Sequence, residues 1–320
     1  MDIRQNFTSS YEDLLKNKII VLPTFAVSIM WTIAFVFFLL FLGIIDDLND
    51  FSAFTDQYYG EKGISQPSTI NDEALARYSE ASDSAWANIK TFVNTRNIIM
   101  LVIVIFILAL ISYYISCLTF VLVAMIVKKS KLNWSEALKL TNKIFWRYNF
   151  FYLIAILIFL LYIVVMLLIL ILSVYIMKVK ILFGIILIIV SILLALAVLF
   201  YFLVRLTFAV PILFLENKTA YNSLKDAFIS TKNRFKETAI VFGIYVGISI
   251  AFGFVGNVFF ESMFDLAVFR DIARLAVIIP ITILFYILSS FIHVFSFLFL
   301  FDSYIDFKKS GFIKQVKTKR

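Results

Sequence analysis

FFYLIAILIFLLYIVVMLLILILSVYIM, residues 150–177, runs for twenty-eight positions without a charge. As a helix rising 1.5 Å per residue it is about 42 Å long, whereas about 20 residues suffice to cross a bilayer core of about 30 Å. Only Lys178-Val179-Lys180 separates it from a second uncharged run, 181–204. Two such runs back to back exceed what a soluble core of this chain length can cover, and hydrocarbon is the medium that accepts them, provided every backbone group bonds within its own helix.

Working outward, the same pattern recurs four more times. The expected spans are Ile19–Ile45, Ile98–Val127, Phe150–Met177, Ile181–Leu215, Ala239–Val258 and Leu275–Phe301. The composition agrees: 62% hydrophobic and 16% charged residues, with a mean hydropathy of +0.97, against roughly half apolar and a quarter charged in soluble proteins. The expectation is an all-α polytopic membrane protein of six transmembrane helices, forming one membrane domain over residues 1–320.

Lys and Arg resist translocation, so their placement orients the chain. Twenty of the twenty-nine fall before the first span, in the second and fourth gaps, or in the tail; eight fall in the other three gaps, and Arg205 alone lies inside a span. Both termini are therefore expected in the cytoplasm, and the chain in the cell membrane. The net charge of +8 belongs to juxtamembrane segments beside an anionic leaflet, so anionic lipid headgroups are the expected partner and nucleic acid is not. A membrane or cytoplasmic protein partner is the other expectation; oligomeric state is not readable. The first span exceeds a 7–15-residue signal core and follows acidic residues, which reads as a retained anchor. Cys117 is the sole cysteine, so no intrachain disulfide forms.

The outer segment Asp46–Asn97 carries nine acids and four bases. Leu75, Tyr78, Ser82, Trp86, Ile89 and Val93 recur at helical steps, which predicts a small helical cap. Each basic segment is predicted to carry a capped amphipathic helix in the headgroup region, apolar face down. Ser9 precedes Glu12 by three, Asn133 precedes Glu136, and Ser223 precedes Asp226. The stripes are Phe7, Tyr11, Leu14 and Leu15; Trp134, Leu138, Thr141 and Phe145; and Tyr221, Leu224, Phe228 and Phe235.

Two segments also match each other. Leu118-Thr119-Phe120 corresponds to Leu206-Thr207-Phe208, Leu138-Lys139 to Leu224-Lys225, and Arg147-Tyr148 to Arg234-Phe235, at offsets of 88, 86 and 87. The order and near-constant spacing suggest an internal repeat, 98–177 and 181–258, of descending span, surface helix and ascending span. On that scheme the N-terminal helix and first span are the second half of a unit, and the last span with its tail the first half of another.

The run Tyr201-Phe-Leu-Val-Arg205-Leu-Thr-Phe208-Ala-Val-Pro211, with Glu216, Ser223-Leu-Lys-Asp226 and Lys232-Asn-Arg234-Phe235, resembles the membrane domain attached to some bacterial glycerophosphoryl diester phosphodiesterases and related stand-alone prokaryotic membrane proteins of unknown function. Tyr11-Glu-Asp-Leu-Leu-Lys-Asn17 followed by Pro23 is similar to the opening of such chains. The resemblance implies architecture. The phosphodiesterase activity resides in a separate soluble barrel using histidines and metal-binding carboxylates, and this chain has one histidine, His293.

Arg205 is expected about ten residues from the cytoplasmic end of its span, where a charge costs roughly 2.5–3.5 kcal/mol unless it snorkels, bonds another span or meets a lipid phosphate or substrate. Pro211, six residues on, would loosen that helix. His293 lies at comparable depth; it either bonds a neighbouring carbonyl or hydroxyl as a neutral ring, or joins Tyr201 and Arg205 in a polar cluster. Gly243 and Gly247, four apart, allow close helix contact, within the subunit rather than between subunits. Nothing here spells a Walker loop, a Gly-x-Ser-x-Gly elbow or His-Glu-x-x-His. No catalytic residue, cofactor or metal is expected, and the chain reads as a non-enzymatic protein organising lipid or partner proteins; the alternative is a transporter or lipid translocator with a site near Arg205 and His293.

Overall fold

A computed structural model of the chain describes residues 2–41, 95–178, 180–267 and 272–318. Among the described residues there is helix and no strand. The helices are α1 (Ile3–Lys16), α2 (Leu22–Phe41), α3 (Thr95–Val127), α4 (Trp134–Met177), α5 (Ile181–Leu206), α6 (Ala209–Leu215), α7 (Ala220–Ser230), α8 (Phe235–Ala267) and α9 (Ile272–Thr318), with 3-10 turns at Lys18–Val21 and Lys232–Arg234. Six segments are long and apolar enough to cross a membrane: Lys18–Phe35, Ile99–Val127, Trp134–Met177, Ile181–Leu215, Lys232–Gly256 and Pro280–Ser310. These match the six expected runs. The expected cap lies almost wholly outside the described residues.

The chain divides into two compact units built from non-contiguous segments. One comprises residues 1–20, 116–250 and 292–320, the other 21–115 and 251–291.

In the first unit the last turns of α3 are buried on all sides, from Cys117 at 0% exposure to Val127 at 7%; a helix apolar all round belongs at the centre of a core. Phe120 on α3 meets Phe214 on α6 (ring centroids 5.3 Å apart) and Phe297 on α9 (4.4 Å), with Tyr148 of α4 at 5.7 Å. Such pairs add about 0.5–1.5 kcal/mol each beyond area burial. α4 and α5 form a hairpin in which the Tyr162 hydroxyl donates to the Ala195 carbonyl at 2.8 Å, and most of their apolar side chains point outward. α1 lies on α9. The Asp2 amide donates to Asp306 at 2.9 Å, Ser10 donates to Asp302 at 2.7 Å, and Phe7 packs on Phe295 at 4.8 Å.

The second unit contains α2, the first part of α3, the end of α8 and the first part of α9. Its polar side chains pair between helices: Trp31 Nε1 donates to Ser112 at 2.7 Å, and Thr32 donates to the Tyr286 hydroxyl at 2.7 Å. An apolar groove of about 1120 Å³ runs along α2 and α3, from Leu22 to Phe38 on one side and Met100 to Leu108 on the other.

The repeat offsets reappear in the helix ends. Lys129 and Asn217, 88 apart, are the two non-glycine residues with positive φ among those described, at 57° and 53°. After α3 the Lys129 amide reaches Ile126 O and the Ser130 amide reaches Met125 O, the bonding of a Schellman stop. The next helices start on caps 86 apart: Asn133 accepts from the Ser135 amide at 3.0 Å and Thr219 from the Asn222 amide at 3.4 Å.

Two expected caps are corrected. Ser9 and Ser223 lie inside helices whose caps are Asp2 and Thr219; Ser223 is buried and donates to the Thr219 carbonyl at 2.9 Å. The surface helix also differs between copies. α4 continues unbroken from Trp134 into its span, whereas α7 ends at Ser230, with Thr231 as its C-cap, and α8 begins after a 3-10 turn. The Thr231 hydroxyl lies 2.8 Å from Ala227 O and 3.2 Å from Arg205 O, competing locally for helical carbonyls. Ile144, 87 residues earlier, has no hydroxyl to do so.

Candidate functional site

Pro211 sets the geometry around Arg205. A proline has no amide to give to the carbonyl four residues back and its ring clashes there, so the helix cannot pass smoothly through Thr207. α5 stops at Leu206 and α6 starts at Ala209. Arg205 therefore sits in the last turn of α5, while still lying ten residues before the end of the membrane-length segment Ile181–Leu215.

Arg205 is 4% exposed. Its guanidinium carbon lies 4.3 Å from the centre of the Phe228 ring and 5.4 Å from that of Tyr201. Nη1 donates to Thr231 Oγ1 at 3.5 Å, the outer limit for a hydrogen bond. Nε is buried without a partner, and among the described residues no carboxylate pairs with this cation. What offsets the charge is indirect. The C-terminal ends of α5 and α7 meet here, each favouring a cation by about 0.3–1 kcal/mol, and each ring adds about 0.5–2 kcal/mol. The fork of five N–H donors remains largely unused.

Of the three residues expected to cluster, the structure brings two together. Tyr201 and Arg205 are in contact, but His293 packs edge-on against Phe297 at 4.5 Å, and among the described residues no hydrogen bond, ion pair or ring contact joins it to the other two. At Gly243 and Gly247, expected to allow close helix contact, a Cβ meets nothing described within 4 Å, so this face of α8 is open among the described residues. Close approach occurs instead at Gly184, where a Cβ would lie 2.5 Å from Met177 Cα.

Sequence reasoning missed a second polar cluster. Glu216, just past α6, accepts from Tyr304 and, at 2.6 Å each, from Lys308 and Lys218; Lys218 also reaches Asp226 at 2.6 Å. Burial pushes the Glu216 carboxyl up, but the hydrogen bonds from Lys218, Lys308 and Tyr304 outweigh it and hold the pKa down at about 2. Arg234 is likewise engaged: it pairs with Glu237, donates to Phe307 O and to Ser310 Oγ at 2.8 Å, and stacks 4.0 Å over the Phe307 ring. These groups span up to 92 residues in sequence, beyond the reach of any local pattern. In both clusters each charge is matched, with only Arg234 Nε left buried without a described partner, and they read as braces. Among the described residues no group of three or more His, Cys, Asp or Glu side chains could hold a metal ion.

The helices outside the spans have a feature of their own. α1 buries Asn6, Ser10 and Leu14 and exposes Phe7, Tyr11 and Leu15 at 45, 53 and 44%. α7 exposes Tyr221 and Ile229, and the start of α4 exposes Leu138 and Trp146. In α4 the inward stripe is Ala137, Thr141, Ile144 and Tyr148, so of the four residues expected to form its apolar face only Thr141 is buried.

A model of a family of unknown function (DUF7544) matches residues 18–304, and the chain belongs to that family. No curated protein and no solved structure matches it.

Proposed function

We propose that this member of a family without an assigned role is a non-catalytic integral membrane protein that organises lipid, or partner proteins at the lipid surface. One observation carries the reading: α1 turns polar Asn6 and Ser10 inward with Leu14 and leaves Phe7, Tyr11 and Leu15 about half exposed. In water that arrangement leaves apolar area unburied at about 25 cal/mol per Å²; at the boundary between headgroups and acyl chains the same stripe is stabilising. The bases of this segment, Arg4, Lys16 and Lys18, are all exposed and available to an anionic leaflet.

The test places a nitroxide at Tyr11→Cys or Glu12→Cys in the full chain, reconstituted in vesicles. The expected result is oxygen-accessible, membrane-immersed label at position 11 and water-accessible label at position 12. Water accessibility at both would remove the reading. The rival, a lipid translocator using Tyr201, Arg205 and His293, needs His293 to share a site with the other two, and it shares no described contact with them. Reconstituted protein is expected to leave fluorescent phospholipid unscrambled; fast dithionite access to the inner-leaflet pool would favour the rival.

A further inference from the structure

We propose that Arg205 is a binding site for a phosphate oxygen of an anionic phospholipid headgroup, an inference that rests on the lipid-organising reading. Arg205 is buried, its one acceptor is a hydroxyl at 3.5 Å, and its Nε has no partner. Nη2 likewise bonds no described residue. A guanidinium so placed presents planar donors to whatever lies outside, and phosphate is the acceptor that its geometry fits.

The repeat argues that the cation is not there for the framework. Eighty-eight residues before Arg205 stands Cys117, and eighty-seven before Thr231 stands Ile144, both buried. The first copy thus builds the same end of a descending helix with an apolar pair where the second has Arg205 and Thr231. Nearby charge is unbalanced in the direction an anion requires. Lys225, Lys232 and Lys236 are exposed, while Asp226 and Glu237 are engaged by Lys218 and Arg234. The exposed ring of Tyr201 and the half-buried ring of Phe228 flank the guanidinium, as apolar walls beside the upper acyl chains would.

The test is thermal unfolding of the detergent-purified full chain with phosphatidylglycerol, phosphatidylcholine or inorganic phosphate. Phosphatidylglycerol is expected to raise the Tm by several degrees more than phosphatidylcholine, and inorganic phosphate to leave it unchanged. The double variant Arg205→Cys, Thr231→Ile copies the first repeat and is expected to fold and to lose the difference; Arg205→Lys should lose at least half. A full preference retained in the double variant overturns the site, and an equal response to inorganic phosphate overturns the lipid source. Should the variants not fold, a phosphatidylglycerol carrying a headgroup diazirine is crosslinked to the wild-type chain. Adducts within 201–205 or 228–232 support the site, and adducts only elsewhere overturn it. The nitroxide result concerns α1 alone, so it can fail while this site stands, and the reverse.

Discussion

Glycine acts oppositely at different positions of this chain, and the difference is a matter of a few ångströms. At Gly184 an added methyl would overlap the Met177 backbone, 2.5 Å away, across the turn from α4 to α5. Backbone cannot move aside as a side chain can, so Gly184→Ala is expected to cost about 1–3 kcal/mol. At Gly243 and Gly247 the methyl meets no described atom within 4 Å, and alanine's better helix propensity should leave stability unchanged or raise it by up to about 1 kcal/mol. Thermal unfolding of the three single variants in one detergent separates the two classes; a loss at position 247 equal to that at 184 would reveal a packing partner there. The GxxxG spacing is plain in the sequence, yet spacing alone does not say which face a neighbour occupies. Arg205 is equally visible as a lone charge in an apolar run. Its depth in the membrane-length segment Ile181–Leu215 is as read from sequence; what spacing does not give is that Pro211, acting four residues upstream on the carbonyl of Thr207, ends α5 at Leu206 and so puts Arg205 in a last turn.

Elements are legible where hydrophobic length decides them and less so where a single hydroxyl does. All six membrane-length helices follow from uninterrupted apolar runs. The Ser-x-x-Glu/Asp signature is right only in kind, since Ser9 and Ser223 sit mid-helix and the caps are Asp2 and Thr219. The way α1 docks is invisible in sequence, because its partners on α9 are about 300 residues away. That docking is polar: Ser10 is fully buried, its hydroxyl oxygen 2.8 Å from Asn6 O and 2.7 Å from Asp302, to which it donates. Ser10→Ala takes a donor from Asp302 in a confined place, at a cost of about 1–3 kcal/mol. The expected outcome is faster tryptic cleavage after Lys16 and Lys18 with the spans still protected. Asp302→Asn keeps an acceptor for Ser10 and should be cleaved nearly as slowly as wild type. Digestion of Ser10→Ala at the wild-type rate would mean that apolar contacts such as Phe7 on Phe295 hold α1 without this bond.

At the scale of the molecule, the repeat and the charge asymmetry both bear on how the chain threads the bilayer. The offsets of 86–88 residues come from short sequence matches, and the same spacing separates the left-handed residues Lys129 and Asn217 and the caps Asn133 and Thr219. Division into two compact units is not readable from sequence, because each is assembled from segments that neighbour one another only after folding. A repeat of descending span, surface segment and ascending span requires the two surface segments to share one side. The connection between the copies must then lie on the other. Asn142 and Asn233 represent the surface segments and Lys178 the connection; all three are exposed, and the native Cys117 is buried. Asn142→Cys and Asn233→Cys are expected to react with an impermeant maleimide only after the membrane is opened, and Lys178→Cys in intact cells. The reason is the clustering of twenty basic residues on the first side and eight on the second. Reaction of all three from one side would require both intervening apolar runs, 150–177 and 181–204, to re-enter rather than cross, which their length of about 36–42 Å as helices argues against.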